Sequence, residues 1–334
     1  MSLPIGKLPY SELRKLLSVI SRPDPSVILG PGVGEDAALI DLGDRVLVVH
    51  SDPITGAVER IGWYSVHVSA NDVATRGARP RWLTTVILLP EGSTPAYALG
   101  IARQAREAAD EIGAVVIGGH TEVTPGLGRP IVVSTAFGVA EKGRVVSTAN
   151  ARPGDVLVLT KGAGVEGTAI LAAEFGDRLA GRVSEDTLER AKLFVRELSV
   201  VREAMLAVEV GGVHAMHDAT EGGVLGAVQE MAIASGLSAV VFEEQVPVRA
   251  ETAEICRVLG CDPLRLISSG SLLIAVEPSR AERLLGVLSE AGVPAATIGR
   301  LERGEGLTLV RKGGVEEKIL EPVTDELWRL LSQG

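Results

Sequence analysis

Apolar residues at 13, 16, 17 and 20 recur at the spacing that lines one face of a helix, which predicts a helix over Ser11–Ile20. Ser11 is the expected N-cap, and Pro23 and Pro25 stop the helix. Short apolar runs predict strands at 37–40 and 45–49, the second ending at His50-Ser51-Asp52. A stretch rich in small residues reads as a helix over 61–74, with Asn71 and Asp72 in its last turns before Gly77. A β-rich run at 83–89 closes at Pro90, and an alanine-rich helix covers 94–112 and ends at Gly113. Strands are expected at 114–117, feeding Gly118-Gly119-His120, and at 131–140.

Ala151-Arg152-Pro153-Gly154-Asp155 interrupts this pattern, which places a domain boundary between an N-terminal domain of residues 1–152 and a C-terminal domain of residues 153–334. The second half repeats the alternation. Strands are expected at 156–160, 213–216, 272–276 and 295–301, with helices from near 167, over 224–234 and over 281–291, and a charged helical stretch at 184–208. Alternating strands and helices in both halves predict an α/β protein of two layered domains.

Composition narrows the class. A chain of 334 residues has room for two cores, and with 46% hydrophobic but only 3% aromatic residues those cores must be aliphatic. The net charge of −10 argues against nucleic acid or an anionic membrane as the main partner, yet leaves room for nucleotides held by local positive groups. Cys256 and Cys261, the only cysteines, fit a reducing compartment; without a second pair their spacing reads as helix packing rather than zinc ligation. No signal pattern or membrane-spanning run is present, so a cytoplasmic location is expected. Asparagine occurs only at 71 and 150, a depletion that suggests a thermophilic source.

The candidate chemistry lies where apolar runs end. Asp36, Asp52 and Asp72 stand at turns and element ends, with Glu35 and Glu122 as further carboxylates. Such an oxygen-rich set suits Mg²⁺ with a polyphosphate, whereas any one of these acids alone is more simply a turn or helix cap. Gly32 and Gly34 belong to a loop that either cradles phosphates or is an ordinary connection, since no Walker or Rossmann fingerprint accompanies it. Lys161 and His120 could each hold a phosphate, and Lys7 reads as a surface lysine. His217, Asp218, Thr220, Glu221 and Gly222 precede a helix start, where they either meet an acceptor or close a capping turn; Asp218 or Glu221 would be the general base.

In order, Gly34-Glu35-Asp36-Ala37-Ala38, Ser69-Ala70-Asn71-Asp72-Val73-Ala74, Gly77-Ala78-Arg79-Pro80, Gly118-Gly119-His120-Thr121-Glu122, His217-Asp218-Ala219-Thr220-Glu221-Gly222-Gly223-Val224 and Ser268-Ser269-Gly270-Ser271-Leu272-Leu273 span nearly the whole chain. This series resembles the ATP-dependent superfamily of aminoimidazole ribonucleotide (AIR) synthetase, thiamine-monophosphate kinase, selenophosphate synthetase and the hydrogenase maturation factor HypE, with HypE most similar. The resemblance implies an AIR-synthase-like fold in which N-terminal domains pair into a barrel within a homodimer. It also implies ATP and Mg²⁺ as cofactors, a nucleotide along the interdomain groove under an N-terminal segment carrying Lys7, and γ-phosphoryl transfer to a small acceptor. Glu35 stands where relatives commonly have Asp, and His120 where the thiamine-monophosphate kinases have Asp. The sequence ends Trp328-Arg329-Leu330-Leu331-Ser332-Gln333-Gly334 without the terminal cysteine of HypE, so modification of its own tail is not expected. A nucleotide-binding scaffold, a thiamine-monophosphate-kinase-like enzyme and action on a partner protein are the alternatives.

Overall fold

The computed structural model describes residue 3 and residues 5–332; Gln333 and Gly334 of the tail lie outside the described residues. The first helix, α1 (Tyr10–Ile20), begins one residue before Ser11. Pro9 rather than Ser11 occupies its N-cap, and the Pro9 carbonyl accepts from the Glu12 and Leu13 N–H groups at 2.9 Å. Its locked φ of −53° prepares the first turn without a side-chain cap.

Two compact units divide the chain, and they interleave along it. One comprises Asp24–Leu29 and Asp36–Val145; the other takes the stretch ending at Pro23, Gly30–Glu35 and everything from Val146. A single cut after residue 152 does not describe this grouping. Glu35 supplies a physical reason, because its carboxylate accepts from the Ser147 hydroxyl at 2.7 Å and from the Ala149 and Thr148 N–H groups at 3.0 and 3.2 Å. It thereby caps a 3₁₀ turn at Thr148–Asn150 and ties residues 30–35 to the later chain.

The first unit is a six-stranded sheet of β1 (Val27–Leu29), β2 (Ala38–Asp41), β3 (Arg45–Ile54), β4 (Pro80–Leu89), β5 (Val115–Val123) and β6 (Ile131–Glu141). Its strand order is β1-β2-β3-β6-β4-β5, antiparallel except for the β4–β5 pair. Helices α2 (Ile61–Thr75) and α3 (Pro95–Ile112) pack together, and α2 lies against β3 and β6. Every residue of α2 is buried, which its small side chains permit. The strand expected to stop at 117 continues through His120 and Glu122, and β5 is exposed along its whole length at the sheet edge.

The second unit continues with β7 (Val156–Thr160), α4 (Val165–Glu174), α5 (Gly176–Leu179), α6 (Glu185–Lys192), α7 (Val201–Val210), β8 (Val213–Asp218) and α8 (Gly223–Ser235). After them come β9 (Ser238–Phe242), α9 (Ala250–Leu259), β10 (Leu272–Val276), α10 (Pro278–Glu290), β11 (Ala295–Glu302), β12 (Gly306–Val310), β13 (Glu316–Ile319) and α11 (Glu326–Leu331). The strands form one sheet in the order β13-β12-β9-β11-β7-β10-β8. Leu157, Leu159, Ala215, Leu225, Val228 and Met231 meet in its aliphatic core.

The stretch 184–208 is not one helix. A 3₁₀ turn at Leu193–Glu197 separates α6 from α7, and the Lys161 ammonium takes the Glu197 and Ser199 carbonyls at 2.8 and 2.6 Å. A cation thus satisfies carbonyls that a continuous helix would have bonded internally.

Candidate functional site

In the first unit, one acid cluster is assembled by strand and helix geometry. His50 and Asp52 lie two apart on β3 and so share a sheet face, while Asp72 comes from α2. A ligand atom from each lies within 4.8 Å of the others, and His50 Nε2 stands 3.3 Å from Asp72 Oδ2. Two carboxylates drawn this close fit a hard divalent cation, and the imidazole stands beside one of them.

Asp36 belongs to the same unit but is fixed differently. Its Oδ2 accepts from the Thr75 hydroxyl at 2.7 Å and from Arg76 Nη2 at 2.9 Å, and Arg76 is completely buried. The pair needs both partners, because an uncompensated charge there would be far from water. Neither His50 nor Arg76 was expected from sequence. His50, two residues from Asp52 on a strand, was legible from the period of two; Arg76 was not, since only the turn at the end of α2 aims it at Asp36.

His120 and Glu122 are elsewhere, on the exposed β5 edge, with Nε2 and Oε2 3.1 Å apart. Hydrogen bonds from Thr124 and then His120 hold the Glu122 carboxyl below its usual range.

In the second unit, β8 ends at His217-Asp218 and the chain turns through Thr220, Glu221 and Gly222 into α8. Gly223 starts that helix with φ 62°, and any Cβ there would meet the Leu266 and Leu264 carbonyl oxygens at 2.6 and 2.8 Å. Gly34 has φ 80° and a Cβ position 2.5 Å from the Glu230 carbonyl oxygen, so close packing on α8 explains this glycine; Gly32 is less confined.

Around the turn, residues remote in sequence converge. His217 Nε2 is 2.8 Å from Glu230 Oε2, and the Lys7 ammonium donates to Glu230 Oε1 at 3.1 Å and to Thr220 at 3.4 Å. The Lys7 N–H donates to Glu221 Oε2 at 2.9 Å. Burial alone would raise the Glu230 pKa, but Lys7 and His217 outweigh it and lower it to about 2. Lys7 is correspondingly raised, its charge held by Glu230 against the opposing effect of burial.

Asp325 takes the opposite course. It is the N-cap of α11, accepting from the Leu327 N–H at 2.7 Å, and its other oxygen accepts from the Gly222 N–H at 2.6 Å. Burial dominates; with the like charges of Glu221 and Glu326 it overcomes these two donors and pushes the pKa up to about 7. Residues 5–10, Glu221, Glu230 and the segment 321–328 enclose a cavity of 390 Å³ with Trp328 on its wall. Sequence reading identified the Glu221 turn but missed Glu230 and Asp325, because neither sits in a motif.

Lys161, expected to face a phosphate, instead sits in a left-handed conformation at φ 60°. Besides the two carbonyls described above, it approaches the buried Glu203 carboxylate at 2.6 Å. Its ammonium is thereby committed to two carbonyls and an ion pair within the unit.

Residues 34–140 match the N-terminal domain of AIR synthase related proteins and residues 152–312 match their C-terminal domain; the chain belongs to this family. Within it, the chain is 30% identical over 291 residues to the carbamoyl dehydratase HypE of Rhodobacter capsulatus, covering 82% of each protein. Solved structures agree in fold. The hydrogenase maturation protein HypE in complex with ATP is similar at TM-score 0.72 and 27% identity, over 93% of this chain and 91% of that one. HypE from a HypE–HypF complex is similar at TM-score 0.75 and 25% identity, over 87% and 94%. No helix among the described residues is long and apolar enough to cross a membrane.

Proposed function

We propose that this protein is a HypE-like, Mg²⁺- and ATP-dependent enzyme that transfers the γ-phosphoryl group of ATP to the oxygen of an amide-like acceptor. The observation that carries the proposal is the crowding of His50, Asp52 and Asp72, whose ligand atoms lie within 4.8 Å of one another. Asp52 and Asp72 would hold Mg²⁺, which offsets charge on the transferring phosphoryl group. Asp36, anchored by Arg76, would keep the end of α2 in register beside them. ATP is supported by the ATP complex of a HypE relative, and an amide-like acceptor by the name carbamoyl dehydratase that relatives carry.

The acceptor oxygen would attack the γ-phosphorus as the bond to the β–γ bridging oxygen breaks and ADP leaves. His217, Asp218 and Thr220 would border the acceptor. Glu221, which faces the cavity, would take the acceptor's proton. Residues 5–10, which wall that cavity, would shield it from water.

A homodimer belongs to this reading. Strand β5 offers an unpaired edge on which Val115, Ile117 and Val123 are each more than half exposed, a surface that pairing with a second copy would cover. A protein partner is supported by the complex of a relative with HypF.

The test is calorimetric titration of ATP with and without Mg²⁺ into wild type and Asp72→Ala, followed by phosphate release with candidate amides. Affinity that depends on Mg²⁺ and falls at least about tenfold in the variant is expected. Equal binding without Mg²⁺, or in the variant, would remove the metal assignment.

A further inference from the structure

The proposed reaction leaves Cys256 and Cys261 unused, yet the fold places them together. Helix α9 ends at Gly260 with φ 67°, and beyond it the Cys261 N–H reaches back to the Cys256 carbonyl at 3.0 Å. That six-residue closure folds the second residue past a helix onto its last turn and brings the two side chains into contact. The two thiols lie beside each other, Cys256 buried and Cys261 partly exposed.

The turn is also a support. Arg329 of α11 donates to the Gly260 carbonyl at 2.7 Å, and the Asp262 N–H donates to Glu326 at 3.3 Å. Asp262 in turn accepts from the Leu264 N–H at 2.9 Å, next to the carbonyls packed on Gly223. Helix α11 carries the Asp325 cap that holds Gly222. The two thiols therefore lie at the base of the segment that walls the cavity.

We propose that Cys256 and Cys261 form a thiol–disulfide modification site, in which a low-molecular-weight disulfide closes the pair into an intramolecular bond that stiffens the seat of α11. The Cys261 thiolate attacks one sulfur of the small disulfide and expels a thiolate, leaving a mixed disulfide. The Cys256 sulfur then attacks Cys261, gives its proton to solvent and releases the second small thiol. Two protein thiols are oxidised and one small disulfide is reduced to two thiols. The Cys256 thiol, buried beside Cys261, is pushed up in pKa, so the second step is the slower one.

The experiment uses the full chain with excess oxidised glutathione, then trypsin, which cuts at Arg257 between the two cysteines, and mass mapping. The expected product is a pair of peptides joined through Cys256 and Cys261, separated by dithiothreitol and absent in Cys261→Ser. Hydrogen exchange of residues 326–331 should slow at least about threefold in the oxidised protein. A stable glutathione adduct on Cys261, a bond between two chains, or no reaction would each overturn the site. A joined pair with unchanged exchange in α11 would overturn its structural effect. None of these readouts depends on ATP, so the outcome is separable from that of the proposed activity.

Discussion

Asp36 in the first unit and Glu230 in the second are both buried carboxylates, but different cations hold them. In the first unit, the cation is Arg76, wholly buried at the end of α2 and bonded to Asp36. It cannot leave without dismantling the helix end. In the second unit it is Lys7, whose side chain is 45% exposed and which arrives from a segment remote in sequence. Burial of both partners makes the first pair a fixed part of its fold, while the second has one partner open to solvent.

The largest effect should follow from breaking the fixed side of that comparison. Asp36→Ala leaves Arg76 buried without its carboxylate and should cost about 3–5 kcal/mol in urea unfolding. Asp52→Asn, which keeps the size of the side chain, should weaken Mg²⁺-dependent ATP binding while stability changes by less than about 1 kcal/mol. If Asp36→Ala unfolds no more readily than Asp52→Asn, the distinction between anchor and ligand fails.

Lys161→Met tests a second fixed cation. It strands the Glu203 carboxylate, 2% exposed, so a loss of about 3 kcal/mol is expected together with an ATP affinity close to wild type. A large loss of affinity with stability preserved would return Lys161 to the phosphate.

Asp325 sharpens the description of the second cluster through pH. Its pKa rises from 3.8 unfolded to about 7 folded, so the folded state holds the extra proton between those values. Its contribution is fully present below the unfolded pKa and is lost as pH rises through 7, by about 4 kcal/mol. Thermal unfolding of wild type and Asp325→Asn from pH 4.5 to 7.5 should show the wild type losing stability relative to the variant as pH rises. A constant difference would mean that the two backbone donors keep Asp325 ionised throughout.

The smallest effect belongs to Lys7. Lys7→Met should cost no more than about 1 kcal/mol, because the Lys7 side chain is 45% exposed and His217 still bonds Glu230. The same change should raise the Glu230 pKa. Since Glu230 stabilises the fold above its unfolded pKa and loses that effect as pH falls toward 2, the variant should lose it at a higher pH, readable by acid titration of the folded state.

Regular periodicity carried much of the architecture. The helix ending at Ile20 was legible from its helical period although none of its residues is buried, and the buried helix ending at Thr75 and the strand at 156–160 because their apolar positions answer to a core. Helix α9, strands β9, β12 and β13, and α11 were not assigned. For α11, six residues are too few to show a helical period. The interleaved units were also hidden, because the reach of Glu35 to Ser147 leaves no local pattern.

By itself, then, the sequence determined the α/β class, the aliphatic cores and the family, through the order of its acid- and glycine-bearing segments. Once the strand runs on to Ile54, a period of two puts His50 and Asp52 on one face. Only the tertiary structure decided which charges meet. Lys7 reaches Glu230 across 223 positions, Asp325 reaches Gly222 across 103, and Lys161 turns into carbonyls rather than outward. Backbone periodicity is local and can be read from neighbours, whereas the pairing of buried charges is settled by whichever partner the packed chain brings within hydrogen-bonding distance.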